Sequence, residues 1–309
     1  MPAEQGKKLK KNKNKSVQEF YFRKTIKESG MLEGIGLHSG EKVKMIFHPA
    51  EDGFGIRFYN NRAKENKSYV SATVENVIDT SLAVTLGEGN FYVQTIEHLM
   101  YAIYVLGITD LIIEIQGATE IPIMDGSAKP FIEFFQTCEC HEFSTEIRPL
   151  KITKPIMVTD GDRYIVGLPA EKSRISYSIN FDHPMLKNLE IDFPYDEEFL
   201  TNHISRARTF GFIKEVEYLR AKGLAQGGST ENVLVFTNEG TLNEPRFTHE
   251  ALYHKILDMI GDLSLVGRPI LGHLLGSKGG HALDIAFAKK LITQFGAKEE
   301  PYEDTSATL

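Results

Sequence analysis

Polar and apolar residues alternate along Lys42-Val43-Lys44-Met45, the period of a half-buried strand, and the stretch 20–50 as a whole reads as strands. Residues 81–93 read as a hairpin whose turn is Gly87-Glu88-Gly89-Asn90, since glycine and asparagine suit tight reversals. The pattern then changes. Thr95 suits the start of a helix, the apolar-rich IEHLMYAIYVL forms its body, and Gly107 stops it. A strand is expected over 111–115 and a second helix over 127–136. Residues 148–151, with Pro149 inside them, mark a candidate domain boundary. Beyond it the order partly repeats: strands over 156–158, 164–168 and 175–181, a helix over 213–222, and a strand over 232–236. A long helix over 249–266, a strand over 270–275 and a last helix over 282–295 follow. A few strands and two helices in each half, without regular βαβ alternation, predict an α+β fold of two similar domains, 20–147 and 148–297. Each is a β-sheet covered by helices on one face. A tail precedes them over 1–19, and an acidic tail follows over 298–309. The two halves match in element order, not in sequence.

Composition narrows the class. The chain has 309 residues, 41% hydrophobic and 25% charged, the balance of a soluble protein with about two domains of core. No apolar run reaches the ~18–20 residues that cross a bilayer. The opening MPAEQGKKLKKNKNK lacks the apolar segment of an export signal. Cys138 and Cys140 are too close in sequence to bridge readily. A cytoplasmic location is expected. A net charge of −7 argues against bulk nucleic-acid binding, which needs surplus Lys and Arg. The run from Lys7 to Lys15 reads as a disordered, solvated tail. The alternative is a weak tether to the inner-membrane surface, at ~1 kcal/mol per lysine near anionic lipid.

Within the long helix, His254 and Asp258 stand four residues apart and so lie on one face. Imidazole nitrogen and carboxylate oxygen both ligate zinc, and this spacing lets them share one ion. Taken alone the spacing suits a surface pair as well. The surrounding Leu252, Ile256, Leu257, Met259, Ile260 and Leu263 make the helix apolar over most of its circumference, hence largely buried. Buried charges need partners or a metal. Lys255, Asp258 and Asp262 therefore form either an ion-pair network or part of a metal centre.

Three more segments carry candidate chemistry. His98 would complete a His, His, Asp set with an open fourth position, the mark of a catalytic zinc site, and Glu97 beside it is placed to take a proton from water. The pair also reads as an acidic residue favoured by the helix dipole next to a core histidine. Gly276-Ser277-Lys278-Gly279-Gly280-His281 presents a histidine able to act as a general acid, or is an ordinary strand-to-helix turn. Arg206-Ala207-Arg208-Thr209-Phe210-Gly211-Phe212 offers a hydroxyl for an oxyanion and two aromatics for an apolar channel, or simple packing.

Together these segments resemble one family, the UDP-3-O-acyl-N-acetylglucosamine deacetylases of Gram-negative bacteria. Six blocks carry the resemblance in order: Gly34–Gly40 around His38, Thr95–Leu99, Glu120–Ser127, Ser205–Phe212, His254–Asp262 and Gly280–Leu283. The resemblance implies two similar α+β domains with the active site between them. It implies a monomer holding one zinc ion through His98, His254 and Asp258, a donor set that Fe2+ also suits. Glu97 then matches the general base and His281 the general acid or a cation that stabilises the transition state, with Asp262 orienting and charging His281. Thr209 matches the oxyanion donor. Lys255 and Lys278 match positions near the sugar nucleotide, and His38 a further substrate contact. Phe181 matches the aromatic that stacks on uracil. Phe210, Phe212 and Val216 match an inserted passage for the 3-O-acyl chain. The implied reaction is hydrolysis of the acetamide of UDP-3-O-[(3R)-3-hydroxyacyl]-N-acetylglucosamine, the committed step of lipid A biosynthesis. Two features depart from the pattern: the lysine-rich extension, and the polar Gln226 where an apolar passage residue is expected. A zinc hydrolase of another acetylated amine, or a silent UDP-sugar binder, are the rival readings. The second is disfavoured because no member of the catalytic set is missing.

Overall fold

The alternation at 42–45 becomes the strand Lys42–Pro49, which turns Val43, Met45 and Phe47 into the core. The structure, a computed structural model, describes residues 21–60 and 69–296. The lysine run, the rest of the tail 1–19 and the acidic tail lie outside the described residues.

Lys42–Pro49 belongs to a five-stranded sheet ordered Gly30–Ile35, Lys42–Pro49, Leu111–Gly117, Ile56–Asn60, Tyr69–Ser71. All neighbours are antiparallel except Ile56–Asn60, which runs parallel to Leu111–Gly117. The second half repeats this topology: Ile156–Asp160, Arg163–Leu168, His273–Ser277, Arg174–Ile179, Leu189–Pro194, again with one parallel pair, between the third and fourth strands of that order. In both sheets a hairpin is followed by a central strand contributed last in sequence. The α+β expectation holds, and the shared element order of the halves is a shared sheet topology.

Among the described residues, six α-helices accompany the sheets: α1 (Glu97–Val105), α2 (Lys129–Cys138), α3 (Glu197–Asn202), α4 (Ile213–Ala221), α5 (Glu250–Leu263) and α6 (His281–Phe295). Helix α1 packs against α2 and α5, and α5 packs against α6. Only Tyr104 of α1, and Tyr253 and Lys255 of α5, escape full burial. The buried Leu252, Ile256, Leu257, Met259, Ile260 and Leu263 each contribute roughly 1.5–3 kcal/mol. That sum offsets the cost of taking His254, Asp258 and Asp262 out of water.

Several local expectations are corrected. The hairpin is shorter than 81–93: Thr85–Glu88 pairs with Phe91–Gln94 around Gly89 at φ +59°, and Val77–Asp79 adds a third strand. Thr95 does not cap α1. It sits two residues upstream at φ +60°, and its hydroxyl turns to Glu120 at 3.3 Å. Helix α5 ends at Leu263, continues as a 3-10 turn over Ser264–Val266, and stops at Gly267 with φ +82°. The short α3, capped by Asp196 accepting from the Phe199 N–H at 2.7 Å, was not anticipated. Cys138 and Cys140 are both free thiols.

Candidate active site

Helix α5 supplies the first two donors. His254 Nε2 lies 3.3 Å from Asp258 Oδ1, as four-residue spacing on one face requires. His98, at the start of α1, brings its Nε2 to 3.8 Å from the same oxygen. The two imidazoles stand nearly perpendicular at 89°, with centroids 5.1 Å apart. His254 Nδ1 faces the Ala207 carbonyl at 3.3 Å, so Nδ1 carries the proton and Nε2 presents its lone pair inward.

The electrostatics suit a cation. Burial, reinforced by His254, holds the His98 imidazole down at about 3, and burial likewise lowers His254. Both are neutral near pH 7. Burial opposes ionisation of Asp258, but its charged neighbours outweigh it and hold the carboxyl well below the ordinary range. The Lys255 ammonium, one of these neighbours, donates to Asp258 Oδ2 at 2.7 Å. Asp258 Oδ1 is buried without a hydrogen-bond partner among the described residues. An orphaned carboxylate oxygen beside two neutral imidazole nitrogens is what a divalent cation would satisfy. Asp262, His281 and Asp284 form a second cluster with donor atoms in similar reach. There, however, His281 Nδ1 and Asp262 Oδ2 already bond each other at 2.8 Å.

Glu97 stands beside His98. Its Oε2 accepts the Val84 N–H at 3.2 Å, and its Oε1 lies 4.0 Å from His281 Nε2. Burial lifts its carboxyl to about 7, against the pull of His281. A carboxyl poised near neutrality suits proton exchange with water. Thr209 is fixed by its backbone, donating to Gly126 O at 2.8 Å and accepting from Leu234 N at 2.9 Å. Its side chain lines the same cavity as Glu97, His98 and His281.

That cavity is about 570 Å³, large enough for a sizeable ligand. Phe210, Phe212 and Val216 line its apolar arm, and Phe181 packs on both phenylalanines at centroid distances of 5.5 and 5.9 Å. The arm reaches the polar centre, since Phe210 meets the His254 ring at 6.0 Å. His38 and Lys255 also line it. Lys278 stands apart: its ammonium bonds Asp162, and it is not part of the lining. Gln226 also points elsewhere, its amide donating to the Arg220 and Leu224 carbonyls at 3.1 and 3.3 Å. Gln226 is not part of the cavity lining.

Three supporting groups had escaped the sequence reading. Glu120, buried, accepts from the backbone N–H groups of His38 and Ser39 at 2.7 and 2.8 Å and from the Ser39 hydroxyl at 2.6 Å. It lay within a block recognised as characteristic, but nothing in the residue type announced its partners. Arg208 is buried and forks onto Glu250 at 2.8 and 3.1 Å, anchoring the chain just before Thr209. Asp284, in the first turn of α6, is buried.

A carboxylate near neutrality, set beside metal-ligand donors and a carboxylate-held histidine, is the organisation of a hydrolase that activates water at a metal. The LpxC family model, described as UDP-3-O-acyl N-acetylglycosamine deacetylase, matches residues 23–293, and the chain belongs to that family. It is 46% identical over 285 residues to the UDP-3-O-acyl-N-acetylglucosamine deacetylase of Leptospira biflexa serovar Patoc, covering 92% of this chain and 94% of that protein. The proteins of the same name from Myxococcus xanthus and Acidithiobacillus ferrooxidans are 42% and 41% identical, over 88% and 89% of this chain and 87% and 91% of theirs.

Proposed function

We propose that this chain hydrolyses the acetamide of UDP-3-O-[(3R)-3-hydroxyacyl]-N-acetylglucosamine, releasing acetate and the free amine, with one zinc ion held by His98, His254 and Asp258. The observation that carries the reading is the orphaned Asp258 oxygen between two neutral imidazoles, opening onto a cavity with an apolar arm. Fe2+ suits the same donors. When bound, such an ion lowers the pKa of water and polarises a carbonyl oxygen.

Glu97 takes the proton of the attacking water, which its carboxyl near neutrality allows. The Thr209 hydroxyl donates to the oxyanion formed at the acetamide carbonyl, and the Lys255 ammonium adds positive charge nearby. As the C–N bond breaks, His281 Nε2 gives its proton to the departing amine, while Asp262 holds the ring through Nδ1. The acyl chain lies along Phe210, Phe212 and Val216, Phe181 stacks on uracil, and His38 contacts the substrate. Lys278 reaches the sugar nucleotide only after leaving Asp162.

The shared sheet topology supports a division into domains 20–147 and 148–297, with donors drawn from both. We read the protein as a cytoplasmic monomer in weak contact with the inner-membrane surface, because its substrate carries an acyl chain. Among the described residues no helix is long and apolar enough to cross a membrane.

The test is acetate release from the UDP-linked substrate by metal-stripped protein, with and without stoichiometric zinc. Activity that returns only with metal is expected. A folded, zinc-binding protein without activity would point to another substrate or to a silent binder.

A further inference from the structure

Beneath His281 lies a polar group that the reaction does not use. Asp284, in the first turn of α6, is 0% exposed, and neither carboxyl oxygen has a hydrogen-bond partner among the described residues. Asp262 is its neighbour. Oδ2 of Asp262 faces His281 Nδ1 at 2.8 Å, and Oδ1 is buried with no hydrogen-bond partner among the described residues. Donor atoms of Asp262, His281 and Asp284 all lie within 4.8 Å of one another. Two ionised carboxylates are both acceptors and cannot bond. Their approach becomes a hydrogen bond, and orphaned oxygens on both sides are satisfied, when one of them carries a proton.

The surroundings decide which one. Asp262 receives the imidazole N–H, which favours its charged form. Asp284 receives no such donor. The other groups facing it are Lys255 and Asp258 on α5, His281 on its own helix, and Tyr177 on the strand Arg174–Ile179. The Lys255 ammonium is engaged by Asp258. The start of α6 favours an anion only through free N–H groups, and that of Asp284 is taken by the Gly280 carbonyl at 3.0 Å.

We propose that Asp284 is a positioning residue, a neutral carboxylic acid whose proton is donated to Asp262 Oδ1, keeping Asp262 a single fixed anion against His281. The functional part rests on the reading of His281 as proton donor. Burial, then the charge of Asp262, raises the Asp284 carboxyl well above the ordinary range. Burial, then Asp258, likewise raises Asp262 well above the ordinary range, against the pull of Lys255 and then Asp284.

The experiment uses the metal-loaded enzyme near neutral pH. Infrared spectroscopy should show a protonated-carboxyl C=O stretch in the wild type that Asp284→Asn lacks. In Asp284→Asn the amide donates to the same oxygen, so kcat should stay within about twofold. Asp284→Leu has no donor and should lose on the order of tenfold in kcat with KM little changed. The alkaline limb of its pH profile should move, whereas that of Asp284→Asn should not. A wild type without the band overturns the proposal, even if Asp284→Leu fails to fold. So does Asp284→Asn falling as far as Asp284→Leu, or Asp284→Leu retaining wild-type kcat. An active His281→Gln enzyme would instead remove the proton-donor reading and leave the infrared band in place, so the two failures are distinct.

Discussion

Gly261 of α5 lies against the backbone of Glu97 so closely that a Cβ there would sit 2.2 Å from the Glu97 carbonyl oxygen. The contact lies one turn beyond Asp258 and one residue before His98. It therefore sets the distance between the helix carrying two metal donors and the helix carrying the third donor and the base.

Gly261→Ala should push α1 and α5 apart, because the obstacle is backbone and not the end of a flexible side chain. A displacement of about 1 Å at a reacting centre can cost on the order of 10²-fold in rate. We expect kcat/KM to fall by about that much and metal affinity to weaken, with the fold retained. Steady-state kinetics and metal titration check this. Unchanged affinity and rate would show that the helices can separate without moving Glu97 or His98.

Glu97 should leave a signature in the stability of the metal-free protein. Its ordinary value is 4.5 and its buried value about 7. Below about pH 4.5 it is protonated whether folded or unfolded, and burial costs no charge. Between 4.5 and 7 the unfolded chain ionises while the folded chain holds its proton, so stability falls as pH rises. Above 7 the loss is complete, on the order of 3 kcal/mol. Glu97→Gln removes the titration. Its melting temperature should match the wild type in acid, exceed it increasingly up to about pH 7, and then run parallel. Thermal melts across that range decide it; a constant offset would mean that Glu97 does not titrate with folding.

For Thr209 the expectation concerns turnover. Its backbone is held on both sides, so losing the hydroxyl should not move the chain. Thr209→Ala should lower kcat on the order of 10²-fold, as for loss of an oxyanion donor, with KM little changed. Thr209→Ser should keep most of the rate. If the alanine variant keeps wild-type kcat, the hydroxyl has no part in the oxyanion.

The donor set was readable because it obeys local rules. His254 and Asp258 follow helical spacing, and an apolar circumference makes their burial foreseeable. His98 was a weaker inference, since nothing local joins residue 98 to residue 254. The resemblance made that connection, and the close approach at Gly261 brings it about in space. Thr95 was misjudged because its residue type suits a cap, whereas a long-range bond to Glu120 turns its backbone away. Gln226, polar where the family pattern has an apolar residue, satisfies carbonyls at the end of α4. Asp284 carried no signal at all, because an acid in a first turn is commonplace. Its orphaned oxygens appear only once α5 and α6 are packed.

The acyl arm can be tested by separating Gln226 from Val216. Gln226 is exposed and bonds backbone at the end of α4. Gln226→Leu should therefore cost about 0.5–1.5 kcal/mol of stability at most and leave acyl-length preference unchanged. Val216 lines the cavity beside Phe212, so Val216→Phe fills the arm. A methylene gained or lost in an apolar pocket changes discrimination by about 10–200-fold. Substrates with the longest acyl chains should thus lose kcat/KM by at least about tenfold, while short-chain substrates lose little. A uniform loss across chain lengths would place the acyl chain elsewhere. A shift in preference caused by Gln226→Leu would mean that the amide leaves its backbone partners when substrate binds.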